Sequence, residues 1–566
     1  MQYAYLFEAR GIQRFLFASG KLKDMQGGSE LLDYICADGG LLDQVLEKLN
    51  LSPKAPRNAG GVFYLVFDQQ QDAQRFQAVW RIACANWIPG VEQVDTLSYG
   101  EKARDAIKNG LNLLRTQRNQ INADLPRPGP LSERSPRTGL AAVQNIKGES
   151  LDAATAKQRV FERTDTEASL AQRFLNENKV FWPTDFEESA PKDRRFPLDD
   201  RRLVGLIHAD GNGLGELLRV LNSACQNAED ATYIKLYKTF SDGLTSATLG
   251  AARDASKAVL LPAAIDIDHG NRLLPARPLV LGGDDLTIVT RADLALPYTQ
   301  VFLKAFEQHS RTSMDTLRAE FEKAGLTDAG VQLPEHLTAC AGISYMKCSQ
   351  PFLAGHDLAE SLCKRAKDAS RKARASDQDL MPSSIAFHKV QDSLLEDAKD
   401  LFNKDNQIIH QNESWQLALP VYGIHAAQSN HKRKLPSLDA LNGLVTLFAN
   451  SRDNRSDTLH FNDRPLRELV TFWHDNPELA KKAYGRWYEL ANRNNAQDLQ
   501  AFEYFMTQLV GKLQSELPCS AETDTASVYS SPLSDLLHLL TIRRSGKQSP
   551  RPATQIEHTE TAEVSA

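Results

Sequence analysis

The segment Pro278–Thr290, PLVLGGDDLTIVT, limits what this chain can fold into more than any other. Two apolar runs of β-forming residues flank a Gly-Gly-Asp-Asp corner. Such runs on either side of a glycine pair read as two strands joined by a tight turn, because glycine accepts positive φ there without steric cost. The hairpin is expected to hold Asp284 and Asp285 at an exposed tip, where Gly282 and Gly283 carry no Cβ to keep a ligand away. Adjacent carboxylates repel unless a cation or a basic ligand neutralises them. A lone Asp-Asp pair in a turn is ordinarily a solvated acidic corner. The rest of the chain decides between these readings.

With 566 residues the chain has room for several domains at about 100–200 residues each. Its 42% hydrophobic and 24% charged content is that of an ordinary globular protein. A net charge of −6 gives no global basic signature, so any contact with nucleic acid would rest on local patches. The 7 cysteines are scattered without a C-x-x-C pair, which argues against a zinc ribbon and a secreted disulfide framework. No apolar run approaches the ~20 residues of a membrane span. The opening MQYAYLFEARGIQ reads as a strand entering a turn, not as a signal peptide. A cytoplasmic protein without membrane attachment is expected.

An α+β fold is expected from the pattern of elements. Residues 1–125 alternate strand and helix signals: Tyr3–Phe7, helical stretches Ile12–Ala18 and Ser29–Asn50, the buried strand Gly61–Phe67, and the helix Asp72–Trp87. Residues 126–201 shift to Pro, Arg, Ser, Gly and acidic residues and read as a linker, with a helix near Thr155–Lys179. Residues 202–390 form a second strand-rich unit. In it come the strand Leu203–Ala209, helices Glu216–Gln226 and Tyr233–Asp254, and the hairpin. The helix Ala295–Lys323, the strand Leu337–Met346 and the helix His356–Ala375 follow. Residues 391–545 are largely helical, suiting an interaction bundle, and 546–566 read as a disordered tail.

Asp210 ends the apolar strand LVGLIHA and opens the turn DGNGLG. Strand ends are where side chains of neighbouring strands converge on a ligand, and Gly211, Gly213 and Gly215 let the backbone approach a phosphate closely. Alone the turn is a weak signal, equally explained as structural. Together with Asp284 and Asp285, Asp210 completes three carboxylates that could cage two Mg²⁺ or Mn²⁺ ions for chemistry at a nucleotide α-phosphate. His208, in the same strand, reads as a core or rim histidine, since no second histidine is suitably spaced.

The order β-α-α-β-β-α-β-α of the second unit resembles the palm of nucleotide cyclases and polymerases. LIHADGNGLGELL, PLVLGGDDLTIVT, LTACAGISYMKCSQPFLAGHDLAESLCKRAKDASRK and SSIAFHKV stand in the order and spacing of a GGDD-type palm. GIQRFLFASGKLKDMQGGSELLDYI looks like the opening of a first palm in the same group. Together these resemble the large, polymerase-like subunit of type III CRISPR effector complexes (the Cas-ten or Cmr-two family), over roughly residues 3–68 and 203–390. The resemblance implies two ferredoxin-like palm domains, the second a GGDD nucleotidyl-cyclase palm, followed by a helical bundle. It implies an enzyme joining ATP into cyclic oligoadenylate when its complex binds target RNA. It also implies other effector subunits and guide or target RNA as partners.

Carried onto this sequence, the resemblance makes Asp210, Asp284 and Asp285 catalytic and metal-binding. Gly211, Asn212, Gly213, Gly282 and Gly283 become nucleotide-binding. Lys367, in the pattern A-E-x-x-x-x-x-A-K, falls where related cyclases direct a lysine at the triphosphate, its bland alternative being a solvated helix lysine. Gly28 and Ser29, in QGGSELL, look like a phosphate- or ribose-facing turn before a helix, with Ser29 equally readable as an N-cap.

The chain departs from the family in three places. His356-Asp357 and His474-Asp475 lack the further spaced ligands of a histidine-aspartate nuclease, so no nuclease activity is expected. PLSERSPRTGLAA has Ser132 and Ser135 where many relatives have zinc-binding cysteines. Asn212 replaces a second acidic residue. A catalytically silent scaffold and a cyclic dinucleotide synthase remain the competing readings. Basic clusters at His431–Lys434 and Arg543-Arg544 suggest partner or RNA contact by the C-terminal region.

Overall fold

A computed structural model describes residues 1–119, 127–162, 169–326, 333–374, 376, 379–390, 398–410, 413–425, 435–453, 463–520 and 528–545. The tail 546–566 and the cluster His431–Lys434 lie outside the described residues. Among the described residues the chain is α+β, with several sheets and a mostly helical C-terminal region.

The N-terminal unit runs β1 (Gln2–Arg10), α1 (Ile12–Phe17), α2 (Leu22–Cys36), α3 (Leu41–Leu49), β2 (Lys54–Ala59), β3 (Val62–Phe67), α4 (Gln70–Trp87), β4 (Glu92–Gly100) and α5 (Ala103–Gln117). Its antiparallel sheet has the order β2-β3-β1-β4. Side chains alternate across a strand, so β1 serves two cores. Tyr5 and Phe7 face Phe63, Phe76 and Trp80, with Phe7 and Trp80 rings meeting edge-on at 5.3 Å. Each such ring, fully buried, contributes roughly 1.5–3 kcal/mol. Ala4, Leu6, Tyr64 and Val66 face the other way, toward α5 and the next unit.

The connecting segment carries β5 (Gln144–Ile146), β6 (Glu149–Leu151), α6 (Ala153–Val160), α7 (Leu170–Phe174) and β7 (Val180–Phe181). The helix expected over Thr155–Lys179 is therefore two short ones. Asp152 caps α6 by accepting from the Ala154 and Thr155 amides, at 3.1 Å each. Ionic contacts fasten this segment to α2. Glu149 accepts from Lys21 at 3.0 Å, Arg137 at 2.7 Å and Arg159 at 3.1 Å, and Arg159 also binds the buried Asp24. Burial opposes the Glu149 charge, but the three cations prevail and hold its carboxyl down at about 2.

The central unit repeats the order of the first. It comprises β8 (Leu203–Gly211), α8 (Leu214–Ala224), α9 (Asp230–Ala255), two short strands β9 (Ile265–Asp266) and β10 (Arg272–Leu273), the hairpin β11 (Ala276–Gly282) and β12 (Asp285–Arg291), α10 (Ala292–Lys323), β13 (Ala339–Lys347), α11 (Phe352–Ala373) and β14 (Ser384–Lys389). Its sheet order β11-β12-β8-β13 matches β2-β3-β1-β4, and β14 and β17 (below) extend it. The two units share a core. Tyr64 of β3 meets Tyr237 of α9 with ring centroids 6.1 Å apart.

The C-terminal region contains α12 (Ala398–Asn406), β15 (Gln407–His410), β16 (Glu413–Gln416), β17 (Tyr422–Gly423), α13 (Leu438–Asp453), α14 (Asp463–Asp475), α15 (Pro477–Asn494), α16 (Ala496–Val510), β18 (Val528–Ser530) and α17 (Leu533–Ser545). β17 pairs with β14, so this region supplies the edge of the central sheet. Asp535 of α17 fastens it there, accepting from the Leu419 amide at 2.8 Å and the Tyr422 hydroxyl at 2.5 Å. No helix among the described residues is long and apolar enough to cross a membrane.

Candidate active site

β8 and β12 lie side by side, with Leu286 paired to Ala209, which brings Asp210 to the same end of the sheet as the Gly-Gly-Asp-Asp turn. Gly282 pairs with Asp285, leaving Gly283 and Asp284 as the turn. Gly283 takes φ +59, the left-handed conformation anticipated for a glycine there. The Thr248 hydroxyl of α9 donates to the Gly283 carbonyl at 2.6 Å and fixes the corner. Gly211 is required for a different reason. A Cβ on it would stand 2.9 Å from the Asp284 Cβ, so only a bare backbone lets that carboxylate approach β8.

The tip is not exposed as the sequence suggests. Asp284 and Asp285 are half-buried, and the β2–β3 hairpin of the first unit packs against the start of the corner. Gly60, at the tip of that hairpin, meets Gly282 so closely that a Cβ on Gly282 would lie 2.6 Å from the Gly60 Cα. The two units thus touch through equivalent hairpin tips. Asn58-Ala59-Gly60-Gly61 faces the acidic corner, and one of the two tips carries the carboxylates. The run NAGGVFYLVF held this signal, since it repeats the glycine-pair hairpin of LGGDDL.

Burial is the main cause of unusual acidity here. It pushes the Asp284 carboxyl up to about 7, with the neighbouring Asp210 charge adding to the effect. Asp285 is raised as well, by burial first and by Asp284 next. Carboxylate oxygens of Asp210 and Asp285 and a ring nitrogen of His208 lie within 4.8 Å of one another. Asp284 joins the group through its contact with Asp210. Lys367 reaches this cluster from α11. Its ammonium pairs with Asp210 and donates to the Gly211 carbonyl at 2.9 Å. Burial works against that charge, Asp210 outweighs it, and the lysine is raised. Lys367 is therefore not a solvated helix lysine.

Asn212 is buried and bound to Thr338, its amide to the carbonyl at 2.8 Å and its Nδ2 to the hydroxyl at 3.0 Å. Its Oδ1 has no hydrogen-bond partner among the described residues. Gly213, at φ +71, precedes α8.

Gly28 and Ser29 do not form a turn. They sit inside α2, which starts at Leu22, so Ser29 is not its N-cap. A Cβ on Gly28 would stand 2.9 Å from Gln158 Nε2, and the Ser29 hydroxyl donates to the Leu279 carbonyl. Gly28 is a packing glycine and Ser29 ties α2 to β11. The local glycine pair looked like a turn because its packing partner, α6, is remote in sequence. Ser29 still borders a cavity of about 700 Å³ between the units, lined also by Asp33, Gly60, Gly61, Ser246, Gly282 and Gly283.

His208 has a histidine neighbour after all. His356 of α11 meets it edge-on at 5.2 Å, a proximity created by folding. Burial lowers His208 to about 4. Arg57 of β2, absent from the sequence reading, lies within electrostatic reach of Asp284 and bonds the Tyr64 hydroxyl at 3.5 Å.

No protein-family profile matches the chain, and no curated protein does. Among solved structures the chain is similar to Csm1 subunits, one of them in a Csm1–Csm4 subcomplex of the type III-A CRISPR-Csm interference complex. A Csm1–Csm4 cassette in complex with cA3 matches at 14% identity and a TM-score of 0.38, covering 65% of this chain and 53% of that one. The cassette in complex with cA4 matches at 13% and 0.45, covering 97% and 70%. Csm1 of T. onnurineus matches at 16% and 0.37, covering 65% and 51%. The match thus spans about half the length of the first and third of these chains.

Proposed function

We propose that this chain is a nucleotidyltransferase of the type III CRISPR large-subunit kind, with a GGDD palm that converts ATP to cyclic oligoadenylate and pyrophosphate. The observation that carries this reading is the convergence of Asp210, Asp284 and Asp285 with Lys367 at one end of the central sheet. That end adjoins a glycine-lined cavity of about 700 Å³, a volume in the range of small-molecule sites. The cluster also suits a metal. The carboxyls of Asp284 and Asp285 are raised by burial first and by their acidic neighbours next, so a cation would relieve both. Two Mg²⁺ or Mn²⁺ ions, when held by these aspartates, supply the charge that activates a ribose 3′-hydroxyl and stabilises the α-phosphate.

The remaining parts are the chain's own. Gly213 and Gly283, beside which an added Cβ would meet nothing closer than 3.8 Å, leave room for a phosphate chain against the backbone. Lys367 binds the triphosphate as a mobile point charge, exchanging its partner Asp210 for phosphate oxygens. A bond forms from the 3′-oxygen to the α-phosphorus as its proton passes to solvent and the α–β anhydride bond breaks, and pyrophosphate leaves with that electron pair. Lys367→Gln is expected to raise the KM for ATP by roughly 10–100-fold, the worth of a charged hydrogen bond, in steady-state kinetics.

The full chain, purified with its native neighbours, should be given each nucleoside triphosphate with Mg²⁺ or Mn²⁺ and target RNA, and its products separated by mass. Cyclic oligoadenylate from ATP alone is expected. Absence of product, or a cyclic dinucleotide from GTP, overturns the reading.

A further inference from the structure

We propose that His356, Asp357 and Glu360 on α11 form a site for one transition-metal ion, separate from the carboxylates of the GGDD corner. A ring nitrogen of His356 and carboxylate oxygens of Asp357 and Glu360 lie within 4.8 Å of one another. His356 and Glu360 stand four residues apart, the spacing that places two ligands on one face of a helix. Two exposed acids near a histidine would not make a site by themselves. The second observation is the imidazole itself, which is fully buried, 0% exposed, with neither ring nitrogen hydrogen-bonded among the described residues.

A buried imidazole with both nitrogens idle is costly, and a native fold ordinarily gives such a group a partner. Rings flank it: Phe17 lies tilted to it with centroids 5.3 Å apart and His208 meets it edge-on. A metal ion is a partner that needs only a lone pair. Asp357 and Glu360 are exposed, so the ion has a route from solvent and their charge is neutralised on binding. One nitrogen with two carboxylates suits Zn²⁺, Co²⁺ or Mn²⁺, whereas Mg²⁺ and Ca²⁺ prefer oxygen alone. The site adjoins the other cluster, because Glu360 repels Asp210 and Asp285.

The test uses the metal-free full chain, Co²⁺ absorption, and equilibrium dialysis with Zn²⁺ in excess Mg²⁺. In excess Mg²⁺ the wild type should take up one Co²⁺ with the spectrum of a histidine ligand, and Asp284→Asn with Asp285→Asn should retain it. Glu360→Gln and His356→Leu should each weaken it by about tenfold or more. Should His356→Leu fail to fold, Glu360→Gln and Asp357→Asn, both at the surface, decide the matter. No uptake by the wild type, or unchanged affinity in the α11 variants, overturns the proposal. Loss of uptake in the aspartate variant also overturns it, placing the ion at His208, Asp210 and Asp285. None of these outcomes depends on ATP turnover, so the cyclase reading stands or falls separately.

Discussion

Asp284→Asn combined with Asp285→Asn should abolish ATP oligomerisation, by at least about 10³-fold, while leaving the fold intact. Ion binding at a phosphoryl-transfer centre contributes several kcal/mol of charge stabilisation, and each ~1.4 kcal/mol is tenfold in rate. Stability should move the other way. In the unfolded chain these carboxyls titrate near ~4. In the folded chain burial first, and their neighbours second, raise both, Asp284 to about 7. A raised acid contributes stability that is full below its unfolded value and lost as pH climbs through its folded one. The melting temperature of the metal-free wild type should therefore fall between about pH 4 and 7, and that of the double variant should fall less. Mg²⁺ should raise the wild-type melting temperature at pH 8 and leave the variant's unchanged. Retained turnover, or a variant less stable than wild type at pH 8, would sink the assignment.

A large loss of stability is expected from a single methyl group at Gly342. This residue lies in β13 beneath α11, and a Cβ there would stand 1.9 Å from the Ala359 carbonyl oxygen and 2.5 Å from the Cys363 amide nitrogen. Both are backbone atoms of a helix and cannot swing aside. Gly342→Ala must lift α11 off the sheet, at a cost of ~3 kcal/mol or more. The same helix carries Lys367, so nucleotide affinity should drop with stability. Gly485→Ala is the counterexample. Inside α15 its added methyl meets nothing within 4 Å, and it should stabilise by about 0.5–1 kcal/mol through helix propensity. Thermal melts of the two variants should thus shift in opposite directions.

What the sequence disclosed follows from how local each cause is. The GGDD hairpin and the strand ending at Asp210 were legible because two apolar runs and a glycine pair define a turn without outside help. The packing against that turn was not legible, since Gly60 arrives from another unit. Gly28 and Ser29 misled for the same reason. Their neighbourhood looks like a turn until Gln158 and Leu279 occupy the space beside α2. Lys367 was singled out through a motif, and the structure adds its physical partner, Asp210. The spacing of His208 and His356 along the chain carries no hint of their contact, which depends on how α11 crosses β8.

The meeting of the Gly60 and Gly282 hairpins has a kinetic corollary. Two such tips on separate molecules would find each other only by collision, and their joint activity would fade on dilution. Here both tips belong to one polypeptide and share a core, so their encounter is first order and its frequency ignores protein concentration. One gene copy also frees the halves from having to be identical. The acidic pair can reside on one tip while the opposite tip, Asn58-Ala59-Gly60-Gly61, diverges toward shaping whatever the acids act upon.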